Sequence, residues 1–425
     1  MTTARGVAGR LAARSGEHAP LVRGSAWLMV SIIVQGLSGY AFWLAAARLF
    51  PSDEVGHASA LFSSVLFVTY LTGFGLNIAV ARYAADGSRD ADVYFSWSLA
   101  ITLASSLVGA AAYLAFVSSE TIDVIRVWGA PTAVVLFFFV VAGTSMAALV
   151  DIRLTAAHRW QWVLIRVGVV GVARLLPLVA LPEGETREVW LFLLAGGLPA
   201  LSGFVGVVLL PRAIGGGLRL RPWPSDGPVA VRFALVNFGA DLAARAPMFA
   251  LPVIVLIDVT ATANANFYVA FNITTMLFLI PVTIGQVVLI EGSKALARAA
   301  SQARLALVLT LAVMGAASLA TWALSGLVVS LYGSDYDDAA RILPLLMAAG
   351  VPWAVTSIAL AEMRVRHSHA GTTAITAVFA AGVLLPALVL VPQDGLDGAV
   401  AAWLGGNVAA AAVGLLAVRL VRPRV

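Results

Sequence analysis

The chain has 425 residues, of which 60% are apolar and only 12% are charged, and its mean hydropathy is +0.93. Soluble globular domains carry about 25% charged residues, so this composition excludes an ordinary soluble protein and predicts a polytopic membrane protein. The 27 basic and 22 acidic residues would suggest a nucleic-acid partner in a soluble protein. In a membrane protein the basic excess instead predicts topology, and we expect no nucleic acid. Cysteine is absent, which excludes disulfides and thiol chemistry.

Apolar segments separated by charged or Pro/Gly-rich clusters follow one another along the whole chain. A helix needs about 20 apolar residues to cross the hydrocarbon core. The first segment runs from near Trp27 to Leu49, which is longer than a signal-peptide core, so we expect it to stay as a span. The sequence therefore predicts an all-α fold with twelve transmembrane helices over 25–49, 56–81, 93–117, 127–150, 161–181, 188–210, 231–256, 264–290, 304–331, 340–362, 371–391 and 397–419.

Basic residues are distributed unevenly between the two sets of connecting loops. With the N-terminus in the cytoplasm, the outer loops hold only Arg48, Arg126, Arg187 and Arg341, and the cytoplasmic segments hold nearly all the other basic residues. Lys and Arg are enriched in cytoplasmic loops of membrane proteins. The pattern predicts that both termini are cytoplasmic.

A linker at 211–228, with Gly215, Gly216 and Gly217, divides the chain into residues 1–210 and 229–425. Each part holds six predicted spans, so a second copy of the first would insert in the same orientation. Such parallel repeats are related by an axis along the membrane normal, and transporter substrate sites lie near that axis. The segments 56–82 and 265–290 resemble each other weakly, and chance similarity between two apolar helices is the alternative. We predict two six-helix lobes around a central cleft.

Four charged residues lie deep inside predicted spans: Arg166 and Arg174 in the fifth, and Asp241 and Arg245 in the seventh. A charge at the bilayer centre costs at least about 2.5–3.5 kcal/mol, so such residues usually face a bundle interior or a wet cavity. Arg166 and Arg174 are eight residues apart, which puts them about 80° apart around a helix. We predict that the arginines bind substrate; snorkelling or pairing with neighbouring groups are the alternatives.

Asp241 and Arg245 have the i,i+4 spacing of one helix face. Either they neutralise each other structurally, or Asp241 takes a proton or sodium ion and frees Arg245 for substrate. Gln35, Asn77 and Asn237 are further candidates, because their amides either bind sugar hydroxyls or join helices. The sequence has no nucleotide-binding loop. We therefore expect no cofactor, and energy from an H+ or Na+ gradient or the membrane potential.

Several short stretches carry a resemblance to a known family: Ala46-Ala47-Arg48-Leu49-Phe50-Pro51, Gly73-Phe74-Gly75-Leu76, Ala81-Arg82-Tyr83 and Tyr332-Gly333 before Asp335-Tyr336. They resemble the polysaccharide and O-antigen repeat-unit flippases (Wzx-type) of the MOP superfamily, which also includes multidrug exporters and lipid II flippases. The resemblance implies a two-lobed, V-shaped transporter in a bacterial cytoplasmic membrane. It implies a lipid-linked oligosaccharide as substrate, with a polysaccharide polymerase and glycosyltransferases as possible partners.

A polyprenyl-diphosphate-linked oligosaccharide needs a cavity with fixed positive charge, because its diphosphate is strongly anionic. Arginine suits that role, since its planar fork makes paired hydrogen bonds to phosphate oxygens. We predict a flippase, not an enzyme, that works by alternating access through an arginine-lined cavity. An ion-coupled multidrug exporter would favour an acidic cavity. A polyprenyl-dependent glycosyltransferase or polymerase would use an acidic pair such as Asp53-Glu54, but the outer loops are short.

Overall fold

A computed structural model gives the fold of the protein. It describes residues 27, 30–77, 80, 91–117, 120–182, 184, 186–216, 218–219, 221–222, 227–294, 296–366 and 368–421. Regular structure in these ranges is entirely helical. The main helices in chain order are α1 Val30–Leu49, α2 Ser52–Thr72, α3 Ala91–Phe116, α4 Ala130–Ala156, α5 Trp160–Ala173, α6 Arg187–Phe192 with Leu198–Ile214, α7 Gly227–Asp258, α8 Ala261–Lys294, α9 Leu296–Ser330 and α10 Asp337–Ala348 with Gly350–Val365. A helix over His369–Leu420 completes the fold.

The last helix is a hairpin of two spans. Gly395 lies at φ 56° and ψ −126°, outside the helical region, and separates α11 (369–394) from α12 (396–420). The two arms run antiparallel: a Cβ on Gly398 would stand 2.1 Å from the Leu390 carbonyl oxygen, and one on Gly382 would stand 3.1 Å from Gly406 Cα. The predicted spans 371–391 and 397–419 are these two arms.

Ten of the described helices are long and apolar enough to cross a membrane, counting the hairpin once. With the hairpin arms separated and α7 included, the helices correspond one for one to the predicted spans. The loop ends at 50, 117, 182, 260, 331 and 395 form the predicted external end of the bundle, and the opposite end is the predicted cytoplasmic end.

Three spans are interrupted where the sequence predicted continuous helices. α2 ends at Thr72, and a turn follows in which Phe74 has φ 45° and Gly75 φ 67°. α5 ends at Ala173, and a 3-10 turn, Leu176–Ala180, continues the span; Pro177 has no N–H to donate to the Ala173 carbonyl. α10 is interrupted at Ala349. There Pro352 has no N–H to donate to the Ala348 carbonyl.

α2 is the helix that packs against both halves of the chain, residues 30–216 and 227–421. Besides α3, α4 and α6, it contacts α7 and α8. At Gly56 the approach is so close that a Cβ would stand 2.1 Å from the Ala261 carbonyl oxygen, and at Gly75 one would stand 2.6 Å from the Ala234 oxygen. Each half also has buried apolar clusters of its own, and Ala47 joins the cluster of the C-terminal half. Both α2 and α1 therefore contact the C-terminal half.

Candidate functional site

Arg166 is held in an ion pair inside the N-terminal half. Its Nε donates to Asp151 Oδ1 at 2.9 Å, its Nη2 donates to Asp151 Oδ2, and its Nη1 donates to Ser202 Oγ at 2.9 Å. The pair joins α4, α5 and α6, and both side chains are largely buried. Sequence analysis missed Asp151 because it ended the fourth span at residue 150. The guanidinium is thus already fully engaged with protein acceptors, and its predicted role in substrate binding stays a prediction.

Arg174 is buried differently. It lies just after the α5 C-terminus and is only 8% exposed. Its Nη2 donates to Ser38 Oγ at 2.9 Å, and its Cζ lies 5.5 Å from the centroid of the Phe42 ring. The Nε is buried and has no hydrogen-bond partner in the described structure. None of the ion pairs between described residues includes Arg174. Among the described groups, its charge is stabilised by the Ser38 hydroxyl and by the face of the Phe42 ring.

Aromatic residues beside Arg174 connect α1 to the C-terminal half. Tyr268 of α8 interacts electrostatically with Arg174, and its ring centroid lies 5.0 Å from that of Trp43. One turn before Trp43, the ring centroid of Tyr40 lies 5.9 Å from that of Tyr332, in an edge-to-face arrangement. Burial raises the pKa of Tyr332 and of its neighbour Tyr336, so both phenols stay neutral. Arg174 therefore lies at the junction of the two halves, and these tyrosines do not supply it with a counter-charge.

The predicted external end is closed by polar contacts between the halves. Arg48 Nη2 donates to the Ser330 carbonyl at 2.8 Å, and its Nε donates to the Leu331 carbonyl. These carbonyls belong to the end of α9, where backbone acceptors lack helical donors. Asn264 Nδ2 donates to the Gly56 carbonyl at 3.3 Å. Sequence analysis identified Arg48 only as a span boundary, and its role in closing the two halves together is a finding of the structure.

A cavity of about 180 Å³ lies towards the predicted cytoplasmic end, where α2 is interrupted. It is formed by α2, α3, α4 and α7, so it lies between the two halves. Asn77, one of the predicted site residues, lines it. The other lining residues are Leu66, Thr69, Tyr70, Gly73, Gly75, Leu76, Thr102, Ser145, Ala148, Leu149, Phe238 and Phe249.

The remaining predicted site residues lie in different places. Gln35 is exposed on α1, and its backbone carbonyl accepts a hydrogen bond from Ser38, the partner of Arg174. Arg245 is exposed on α7. Asn237 and Asp241 also lie on α7, but their side chains are outside the described residues, so their predicted roles stay predictions. The structure thus links only the main chain of Gln35 to Arg174, through Ser38, and puts Asn77 in a second location. Arg166 lies apart from both.

The linker between the halves is attached to the N-terminal half at the predicted cytoplasmic end. Asp92, at the start of α3, accepts from Arg153 Nη2 at 2.8 Å and pairs with Arg219 Nε of the linker at 3.2 Å. Ser96 Oγ accepts from the Arg219 backbone N–H at 2.8 Å. Trp97 Nε1 donates to the Arg221 carbonyl at 3.1 Å. These contacts were not predicted, because the sequence does not show which surface the linker packs against, nor that Asp92 is buried.

No family model matches the sequence. No curated protein matches it either. Among solved structures, the lipid II flippase MurJ in an inward closed conformation superposes with a TM-score of 0.74 at 13% identity, covering 92% of this chain and 87% of that one. An inward-facing multidrug resistance MATE family transporter gives 0.68 at 17% identity, covering 93% and 97%. A MOP superfamily transporter from Pyrococcus furiosus gives 0.58 at 18% identity, covering 94% and 95%.

The chain therefore has the fold of the transporters of the MOP superfamily. The predicted fold class, an all-helical polytopic membrane protein, is confirmed.

Proposed function

We propose that the protein is a flippase, not an enzyme, which moves a polyprenyl-diphosphate-linked oligosaccharide from the cytoplasmic to the outer leaflet of a bacterial cytoplasmic membrane. Both termini lie in the cytoplasm in this proposal, and the product is handed to polysaccharide synthesis. The fold supports it, since it is shared by transporters that include a lipid II flippase. The observation that carries it is Arg174.

A buried guanidinium without a carboxylate partner is costly, because the charge leaves water and is not fully compensated. Arg174 combines this cost with a buried Nε that has no acceptor and with a position at the junction of the halves. A diphosphate supplies acceptor oxygens and negative charge, which are the two things that this arginine lacks. Anion binding is therefore the role that the Arg174 environment supports best.

The main alternative is an ion-coupled multidrug exporter, which the similarity to MATE family transporters supports. A cation-binding site needs an unpaired carboxylate in the membrane. Three of the carboxylates buried or half-buried in described helices are already paired with arginine: Asp92 with Arg153, Asp151 with Arg166 and Glu362 with Arg366. As far as these described carboxylates go, their pairing favours an anionic substrate over a cationic drug, and Asp241 is left for the coupling ion.

Alternating access requires that the contacts between the halves change. In the proposed cycle, the contacts of Arg48 and Tyr40 with the end of α9 hold the external end closed while substrate enters from the cytoplasm. The diphosphate binds at Arg174, with Gln35, Arg245 and Asn237 as further contacts. Asp241 couples the change to a proton or sodium ion. Arg166 supports the site from within the N-terminal half through Asp151.

The test is flipping in proteoliposomes, measured as the exposure of a fluorescent lipid-linked oligosaccharide to a membrane-impermeant reagent. We expect Arg174→Ala to reduce the flipping rate at least tenfold, since a charge-assisted hydrogen bond contributes about 1.5–3 kcal/mol. Arg212→Ala, at an exposed position of α6, is the matched control and retains the wild-type rate. Undiminished flipping by Arg174→Ala, or transport of a cationic dye without flipping, would refute the proposal.

A further inference from the structure

The cavity at the interruption of α2 has the chemistry of a binding site for a neutral, hydroxyl-rich ligand. The polar side chains among its described lining residues include the hydroxyls of Thr69, Thr102 and Ser145 and the amide of Asn77, and none of these described lining residues is charged. The rest of the lining is apolar or aromatic. An apolar pocket with a few placed polar groups is the usual form of a small-molecule site.

Two of these hydroxyls lack the hydrogen bond that other hydroxyls in the same helices make. Ser63, Ser64 and Thr72 of α2 each donate to the carbonyl four residues earlier, at 2.8–2.9 Å. Thr69 Oγ1 and Ser145 Oγ are buried and have no partner among the described groups. A buried polar group without a partner is destabilising, so a ligand in the cavity that bonds to Thr69 of α2 or Ser145 of α4 supplies a bond that the described part of the protein does not.

The aromatic side of the cavity is formed by both halves of the chain. Tyr70 of α2 lies 5.0 Å from Phe249 and 6.0 Å from Phe238, measured between ring centroids, and both phenylalanines belong to α7. The C–H face of a pyranose ring packs against aromatic rings while its hydroxyls, at the ring edge, make hydrogen bonds. The described lining therefore combines hydroxyls, an amide and aromatic rings, which are the groups that contact a saccharide ring.

The backbone beside the cavity is in an uncommon conformation. Phe74, with φ 45°, is a non-glycine residue in the left-handed region, which costs about 1–3 kcal/mol. Gly75 follows at φ 67°, where its backbone contacts α7. Strain of this kind concentrates at functional sites. Here the turn ends α2 and brings Asn77 to the cavity wall.

The cavity is separate from the Arg174 site. Phe62 of α2 lies beside Trp43, in the aromatic cluster near Arg174, with ring centroids 6.1 Å apart. Tyr70 is eight residues further along α2, which is about 12 Å along the helix axis. One substrate molecule can therefore reach both places, with its diphosphate at Arg174 and its sugars extending towards the predicted cytoplasmic end.

We infer that this cavity is a subsite for one uncharged saccharide ring of the transported lipid-linked oligosaccharide. The inference rests on the proposed flippase function and extends it to substrate selection. Because the described part of the lining holds no cation, we expect a neutral sugar to be preferred at this position over a sugar that carries a carboxylate.

The natural absence of cysteine allows a direct test. Thr69→Cys introduces one thiol into the cavity, and Ser63→Cys introduces one at a buried position elsewhere on α2 as the control. The rate of labelling by a small methanethiosulfonate reagent is measured with polyprenyl diphosphate alone, with the same lipid carrying a neutral oligosaccharide, and with one carrying an acidic oligosaccharide. At about ten times the Kd of the neutral lipid, mass action predicts roughly tenfold slower labelling of Thr69→Cys.

We expect protection of Thr69→Cys by the neutral sugar lipid, less by the acidic one and none by polyprenyl diphosphate alone. Labelling of Ser63→Cys is unchanged by all three. Equal protection by the sugar-free lipid, or flipping of the neutral lipid by Thr69→Cys without any protection, overturns the subsite. Protection without flipping by the wild type instead refutes the proposed function and retains the subsite. If neither protection nor flipping is seen, both are wrong.

Discussion

Two buried arginines only eight residues apart are expected to respond in opposite ways when they are replaced. Arg174→Met removes the bond to Ser38, worth about 1.5–3 kcal/mol, and the contact with Phe42, worth about 0.5–2 kcal/mol. It also removes a desolvation penalty of several kcal/mol per buried ion. These contributions nearly cancel, so we expect the stability of Arg174→Met to stay close to that of the wild type while flipping is lost.

Arg166→Met has a different consequence, because it leaves Asp151 behind in a largely buried position. Removing one partner of a buried ion pair costs about 3–5 kcal/mol. The double variant Arg166→Met with Asp151→Leu removes both charges and is expected to recover most of that stability. We thus expect Arg166 and Asp151 to affect stability as a pair, and Arg174 to affect the proposed transport.

The assay is thermal unfolding of the purified variants in one detergent, with flipping measured on the same preparations. We expect the Tm of Arg166→Met to lie well below that of Arg174→Met. The Tm of the double variant is expected to be higher than that of Arg166→Met. If Arg174→Met lowers Tm as much as Arg166→Met does, Arg174 is a structural residue and the reasoning is wrong.

Three further predictions concern the contacts around the site. Arg48→Ala removes the closure of the external end, so the distance between spin labels at Asp53 and Thr262 is expected to lengthen or broaden; an unchanged distribution contradicts the assigned role. Asp92→Asn removes the carboxylate that pairs with Arg153 of α4 and Arg219 of the linker, so trypsin is expected to cut the linker several-fold faster, and an unaltered rate speaks against anchoring. Gly395→Ala forces a Cβ into a conformation at φ 56° and is expected to cost about 1–3 kcal/mol, seen as a lower Tm.

The spans followed from the sequence because the hydrocarbon core imposes a length and a composition that are visible residue by residue. The interruptions were harder to predict. Pro177 lacks a donor at the end of α5 and Pro352 lacks one at the interruption of α10, but prolines such as Pro247 and Pro281 lie within helices that continue past them. Only the surrounding packing decides which proline ends a helix.

The roles of the predicted site residues stay predictions, and the sequence indicated only part of their surroundings. Charge in an apolar segment correctly identified Arg174 as a buried residue, but the same reasoning did not separate it from Arg166, whose partner Asp151 lies on another helix. Pairing across helices depends on which faces meet, and a single sequence does not show that. Asn77 was proposed for its amide alone; the hydroxyls of Thr69 and Ser145 around it were not identified, because most intramembrane hydroxyls bond to their own helix.

Arg48 fastens one half of the molecule to the other through main-chain oxygens, and no side chain of the receiving helix takes part in its two bonds. Every residue type has the same backbone carbonyl, so substitutions at positions 330 and 331 are expected to leave the two hydrogen bonds from Arg48 in place. Substitution of Arg48 itself removes both bonds, because its Nε and Nη2 donate to two different carbonyls. We therefore expect many substitutions to be tolerated at positions 330 and 331, which supply the acceptors, and few at Arg48, which supplies the donors.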